Sequence, residues 1–333
     1  MSRQVRTTRA AADYQEKDEI EHILDRPDMY IGSTEFEERD ELLLNINEKK
    51  LYNATIKVPQ GVERLFLEIL SNAGDNADNS RRAGVNPGSI VVYMDRHWIK
   101  IRNGGLAIPV EESKSTPGKL VPEIIFGKLR SSSNYDPNVI LMGAGKNGFG
   151  AKLTNVYSTM FNVSIGDNIN KKLYSGTWEG NMRKGPRSDV KDGYTGEAFV
   201  EIAWLLDFKR FNMEEYSDEA FGLFARYAAD FSLTCKIPVW FNEVQLNVQN
   251  IRDFARLNWE EEECNKAIVH YEWPGRDREN PNGVCPFTAT GLNKEKYVSN
   301  PAKAEYIPSV EIMIIDTPDA GCCLSYVNGM YTM

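Results

Sequence analysis

The sequence predicts an α+β sandwich built on a mixed, mostly antiparallel sheet. Helix-period segments concentrate early in the chain, and several strand-like runs are joined by tight hairpin turns. Helices and strands do not alternate as a parallel βαβ series demands, and no internal repeat is evident.

The first dozen residues lack periodicity and read as an arm that docks elsewhere. Residues 18–24 have helical spacing, and Arg26-Pro27-Asp28 stops them, because the residue before a proline is pushed out of the helical region. Residues 61–79 are the strongest helix. Runs at 90–94 and 98–102 flank Asp95-Arg96-His97 and read as a hairpin. A loop over 111–117 and a short helix over 121–129 precede a polar loop at 131–138. A helix over 150–160 leads into strands at 161–165, 173–178 and 198–202. Residues 218–233 are helical, and strands at 237–241 and 244–247 turn at Asn242-Glu243. The acidic run Trp259-Glu260-Glu261-Glu262-Glu263 marks a boundary between a first domain, 1–258, and a second, 259–333. Strand-like runs at 268–273, 310–315 and 324–327 are too few to close that second unit, so the chain is expected to stop inside it.

At 333 residues the chain has room for two cores, and 41% hydrophobic with 26% charged residues is ordinary for a soluble protein. No apolar run approaches the roughly 18 residues that span a bilayer. The basic N-terminus lacks the apolar stretch of a secretory signal, so no membrane partner is expected. Five cysteines without C-x-x-C spacing suggest free thiols in a reducing compartment. Three scattered histidines argue against a zinc site. A net charge of −9 argues against a dedicated nucleic-acid clamp. It leaves room for a local basic face from Arg81-Arg82, Lys171-Lys172 and Arg183-Lys184 with Arg187.

Chemistry begins on the 61–79 helix. Val62, Leu65, Phe66, Ile69, Leu70 and Ala73 make its apolar face. Glu68, Asn72, Asp75, Asn76 and Asn79 make a second stripe about a quarter turn away. A solvated face favours lysine, glutamate, arginine and glutamine; three asparagines and two acids do not fit it. Asparagine offers a neutral oxygen to Mg²⁺ and an amide to phosphate, and a glutamate one turn earlier can deprotonate a water.

The segment GAGKNGFGAK, residues 143–152, admits three parses. As a dinucleotide fingerprint it has Asp167 near the expected acidic position, but its preceding strand is very short and no second βαβ unit follows. As a P-loop it places Leu153 where a magnesium-holding serine or threonine belongs. What remains is a glycine-rich lid whose N–H groups wrap a triphosphate before a helix N-terminus, with Lys146 and Lys152 adding positive charge.

EILSNAGDN (68–76), IRNGGLAIPV (101–110), IFGKLRSSSNYD (125–136) and GAGKNGFGAKLTNVYS (143–158) follow one another in this order. Together with YQEKDEIEHILDRPDMYIGS (14–33), TWEGNM (177–182) and LSYVNGMYT (324–332), they resemble the ATPase region of type II DNA topoisomerases. The pattern is closer to the eukaryotic or viral-like enzymes than to bacterial gyrase. The resemblance implies a Bergerat-type (GHKL) α/β sandwich followed by a truncated transducer domain. It implies that Glu68 is the general base, Asn72 the magnesium ligand, and Asn76 a neighbour of the phosphates. It sets Asn103 at the adenine amino group and Ser132, Ser133 and Asn134 on the ribose and phosphates. Gly145, Lys146, Asn147, Gly148, Phe149, Gly150, Ala151 and Lys152 form the phosphate lid. Tyr14 matches a position that reaches a partner subunit's nucleotide, and an ordinary packed tyrosine fits it almost equally well. Two departures stand out: Ala107 replaces the usual second glycine of N-x-G-x-G, and Lys146 replaces a common arginine.

By the same resemblance the cofactors are ATP and Mg²⁺, and the partners are a second copy, joined when nucleotide closes the N-gate, and duplex DNA in the full enzyme. The location is nucleus or cytoplasm, or a viral factory or virion. The DNA-cleaving domain is not represented, and a transducer lysine that completes the site would follow the 324–332 strand, which implies slow turnover. Another GHKL ATPase, of the chaperone or mismatch-repair kind, and a non-hydrolysing regulatory module are the rival expectations.

Overall fold

Alternation along the strands decides which face of the sheet meets the helices. The computed structural model describes residues 18–129 and 150–264, with the backbone of four further strands beyond them. The first half runs α1 (Glu19–Asp25), β1 (Arg39–Asn45), β2 (Lys50–Ile56), α2 (Gln60–Arg82), β3 (Ile90–Met94), β4 (Trp98–Asn103) and α3 (Val121–Gly127). After it come α4 (Gly150–Val156), β5 (Ser158–Asp167), β6 (Lys172–Glu179), β7 (Lys184–Asp192), β8 (Phe199–Leu206) and α5 (Asp218–Cys235). The hairpin β9 (Val239–Phe241) and β10 (Val244–Leu246) and two short helices, α6 (Ile251–Ala255) and α7 (Glu261–Cys264), follow.

Eight strands join in the order β10-β9-β3-β4-β8-β5-β6-β7, and within that sheet only β3 and β9 run parallel. Ile90, Val92, Ile99, Ile101, Ile202, Trp204, Phe161, Val163 and Trp178 are buried on one face, while Tyr93, Lys100 and Arg102 alternate onto the other. Onto the buried face pack α2, α4 and α5, with the separate hairpin β1–β2 lying on α5. Phe66 of α2 stacks on Phe224 of α5 with ring centroids 4.2 Å apart. Leu65, Ile69 and Leu70 are at most 2% exposed. Each such side chain contributes about 1.5–3 kcal/mol of burial.

Local chemistry sets the ends. Asp95 accepts hydrogen bonds from the N–H groups of His97 (2.8 Å) and Trp98 (2.7 Å), closing the β3–β4 turn. Asn242 and Glu243 both adopt positive φ, the backbone a two-residue hairpin requires. Ser217 caps α5 by accepting from Ala220 N, and Lys236 ends it in the left-handed conformation.

Several expectations are corrected. The helix after Gly150 ends at Val156 rather than residue 160, because Ser158 already pairs with Leu206 in the sheet. The β1–β2 hairpin and strand β7 were not anticipated. The rejection of the dinucleotide reading stands, since β5 pairs antiparallel with both neighbours and Asp167 turns the chain into β6. Of the basic residues singled out, Arg81 pairs with Asp78 (2.7 Å), Arg183 with Asp18 (3.3 Å) and Arg187 with Glu179 (2.5 Å). Cys235 and Cys264 form no disulfide among the described residues and are buried; the other three cysteines lie outside those residues. Beyond α7 the three expected strands are present, β11 (Ala267–Trp273) antiparallel to β12 (Val310–Ile315), and β13 (Ser325–Val327) antiparallel to an unanticipated β14 (Met330–Thr332). Among the described residues no helix is long and apolar enough to cross a membrane.

Candidate nucleotide site

Helix α2 presents Glu68, Asn72 and Asn76 on successive turns, beside rather than within its buried face. Glu68 is held from two sides. Arg64, one turn earlier, places Nη2 2.5 Å from Oε1. On the other side lies Gly150, the first residue of α4, where a Cβ would overlap Glu68 Oε2 and stand 2.9 Å from Cδ. Glycine therefore lets α4 start directly against the carboxylate.

Asn72 is exposed and makes no hydrogen bond among the described residues, so its carboxamide oxygen is open to a ligand. No group of three or more His, Cys, Asp or Glu residues gathers among those residues. One neutral protein oxygen fits Mg²⁺, which keeps waters and takes phosphate oxygens rather than a full protein cage. Asn76 differs from Asn72. Its Nδ2 donates to Gly104 O (3.0 Å) and Leu106 O (3.2 Å), so here it ties down the loop after β4.

Asn103 ends β4 with 8% exposure, and its Nδ2 donates to Gly104 O at 2.8 Å. The following loop lies on α2 through Ser80, whose Oγ accepts from Leu106 N (2.8 Å) and donates to Asn76 O (2.6 Å). Gly105, at φ +93°, passes so close to Ser80 that a side chain has neither space nor backbone freedom. Ala107 has no positive φ, so alanine in place of the usual glycine carries no strain. The far end of the loop is fixed by buried Asp167, which accepts from Val110 N at 2.7 Å.

Helix α4 is short and wholly tied. Thr154 Oγ1 donates to Leu65 O of α2 (3.2 Å), and Asn155 Nδ2 to Phe126 O of α3 (3.0 Å). Asn181 Nδ2 caps its end at Val156 O (2.9 Å). Lys152 is 2% exposed, and burial pushes its ammonium down to about 8.

Glu68, Asn72, Asn76, Asn103, Gly150, Ala151 and Lys152 thus fall on three elements that meet around the N-terminus of α4 and the loop after β4. Ser132, Ser133, Asn134, Gly145, Lys146, Asn147, Gly148 and Phe149, and Tyr14, lie outside the described residues. Sequence reasoning missed Ser80, although it stands one turn beyond Asn76.

The solved structures define the class first. The fold superposes on the ATPase region of Saccharomyces cerevisiae topoisomerase II with a TM-score of 0.70 at 30% identity, covering 74% of this chain and 65% of that one. On the ATPase and transducer domains of DNA topoisomerase II from Balamuthia mandrillaris it gives 0.72 at 28% identity, covering 79% and 66%. It is an ATPase-region fold. A DNA topoisomerase 2 from Candida glabrata is 32% identical over 249 residues, 74% of this chain. The chain belongs to the type II DNA topoisomerases and corresponds to their ATPase region. It spans only 18% of the length of the Candida glabrata relative. No protein-family model matches it.

Proposed function

We propose that this chain is the ATP-hydrolysing gate of a type II DNA topoisomerase, with the ATPase unit over residues 1–258 and the start of a transducer over 259–333. ATP lies between α2, the loop after β4 and the start of α4. Asn103 meets the adenine amino group; Ser132, Ser133 and Asn134 meet ribose and phosphate. Residues Gly145 to Lys152 close over the phosphates.

Glu68 takes a proton from the water that attacks the γ-phosphorus as the β–γ bridging bond breaks and ADP leaves. Arg64 fixes one of its carboxylate oxygens and Gly150 leaves space for the other. Asn72 would hold Mg²⁺, which supplies charge neutralisation at the phosphate oxygens. Buried Lys152 offers a cation to the same oxygens. Two copies close on nucleotide, and in the longer intracellular enzyme that closure serves passage of one DNA duplex through another.

The observation that carries this reading is the contact between the Glu68 carboxylate and the first residue of the lid helix. Glu68→Ala should keep affinity for a non-hydrolysable ATP analogue while turnover falls by about 10² to 10⁴. Near-normal phosphate release from that variant ends the assignment.

A further inference from the structure

Asp167 is fully buried at the end of β5, yet nothing in the proposed chemistry uses it. Its carboxylate is saturated by four donors. Oδ2 accepts from Val110 N at 2.7 Å and Asn170 Nδ2 at 2.7 Å. Oδ1 accepts from Ile169 N at 3.0 Å and Asn170 N at 2.9 Å. Burial pushes the carboxyl up, but those donors together outweigh it and hold the group below its ordinary value. The acid therefore joins the β5–β6 turn to the far end of the loop that follows Asn103. The near end of that loop is held separately, by Ser80 at Leu106 N and by Asn76 at Gly104 O and Leu106 O. Between the two anchors, residues 104–110 contain no strand or helix of their own.

We infer that Asp167 and Ser80 are positioning residues for the base-binding side of the site: they fix both ends of the Gly104–Val110 loop and so set affinity for the nucleoside, while leaving the triphosphate and the hydrolytic step untouched. The inference rests on the proposed ATP site. Its physical basis is preorganisation. A loop that must be ordered on binding draws that cost from the affinity, and one already pinned by charge-assisted bonds does not.

The split is measurable in the full chain. Asp167→Asn is isosteric, but its amide presents donors to Val110 N–H or to Asn170. Ser80→Ala removes the other anchor and is the milder change. Each variant should weaken a non-hydrolysable ATP analogue by about tenfold, the consequence of losing one charge-assisted or buried bond. Competition by inorganic tripolyphosphate and turnover at saturating ATP should stay at the wild-type level. Amide exchange at Leu106 should rise in Ser80→Ala, and at Val110 in Asp167→Asn. A role confined to stability would lower Tm and leave the ratio of ATP-analogue to tripolyphosphate affinity unchanged, and that result overturns the inference. Equal loss of both ligands, or a fall in turnover, overturns it as well. If Asp167→Asn does not fold, Ser80→Ala alone decides. If the wild-type chain binds no ATP analogue, the proposed function falls first and this inference with it; if the wild type binds and the variants match it, only this inference falls.

Discussion

Replacing Gly150 by alanine separates catalysis from stability at one atom. The new Cβ would overlap Glu68 Oε2 and stand 2.9 Å from Cδ and 3.1 Å from Glu68 Cβ. The two closest atoms are the far end of a flexible side chain, so a rotation of Glu68 relieves the clash. Holding that side chain off its preferred rotamer costs about 0.5–1.5 kcal/mol. Against this, alanine is a better helix residue than glycine by up to about 1 kcal/mol, and Gly150 has no positive φ to forbid it. The terms nearly cancel, so Tm should move by no more than about 2–4 °C. The carboxylate, however, must leave its place beside the lid helix, and a displaced general base forfeits much of a factor of about 10² to 10⁴. Phosphate release at saturating Mg-ATP, with analogue binding by calorimetry and a thermal melt on the same samples, reads all three quantities. Wild-type turnover in Gly150→Ala would show that the position of Glu68 is irrelevant to the reaction. Turnover that falls only in proportion to lost folded protein would refute the argument equally.

Asn72→Ala should make ATP affinity equal with and without Mg²⁺ while leaving Tm unchanged, since the side chain is exposed; a magnesium-dependent affinity that survives the change removes Asn72 as the ligand. Lys152 has a folded pKa near 8, below its ordinary 10.5, so the unfolded chain holds that proton to higher pH. Stability from this group is therefore lowest below about pH 8 and rises towards pH 10.5, and Lys152→Met should flatten the rise in denaturation midpoints. Phosphate beside Lys152 would restore its proton, so ATP-analogue binding at pH 8.5–9 should take up protons, seen as a dependence of calorimetric heat on buffer ionisation. Arg226 pairs with Asp230 at 3.1 Å with both side chains at most 2% exposed. Arg226→Met should cost about 3–5 kcal/mol by breaking a buried ion pair, and adding Asp230→Leu should recover most of it in urea titrations.

What the sequence disclosed follows from where each residue's partners lie. The apolar face of α2 was legible because its period is local, and the turns at Asp95 and Asn242 because their side chains or φ angles close them locally. Strand β7 was read only as basic residues: of its nine positions, Val190 alone among the apolar residues packs against the core, and its strand character comes from pairing with β6. The hairpin β1–β2 was hidden for a related reason. Leu43, Leu44, Leu51 and Ile56 are buried without clean alternation, and α5, which packs on β1, lies far along the chain. At the site, the stripe of Glu68, Asn72 and Asn76 announced itself by composition. The second task of Asn76, as a clamp on the loop after β4, could not be seen, because its acceptors are backbone carbonyls that any sequence supplies.

The parallel pairing of β3 with β9 also bears on how the protein is made. Ile90 sits beside Val239, and Leu51 N donates to Leu257 O at 2.6 Å, so early segments wait for late ones. On a ribosome adding about 5–20 residues per second, the strand carrying Asn103 emerges on the order of ten seconds before β9 is synthesised. During that interval β3 offers an open, apolar edge. Such long-range closure slows folding, and the exposed edge invites pairing with other nascent chains. Low expression temperature or a chaperone that shields strands should therefore improve the yield of soluble protein more than any change near the nucleotide site.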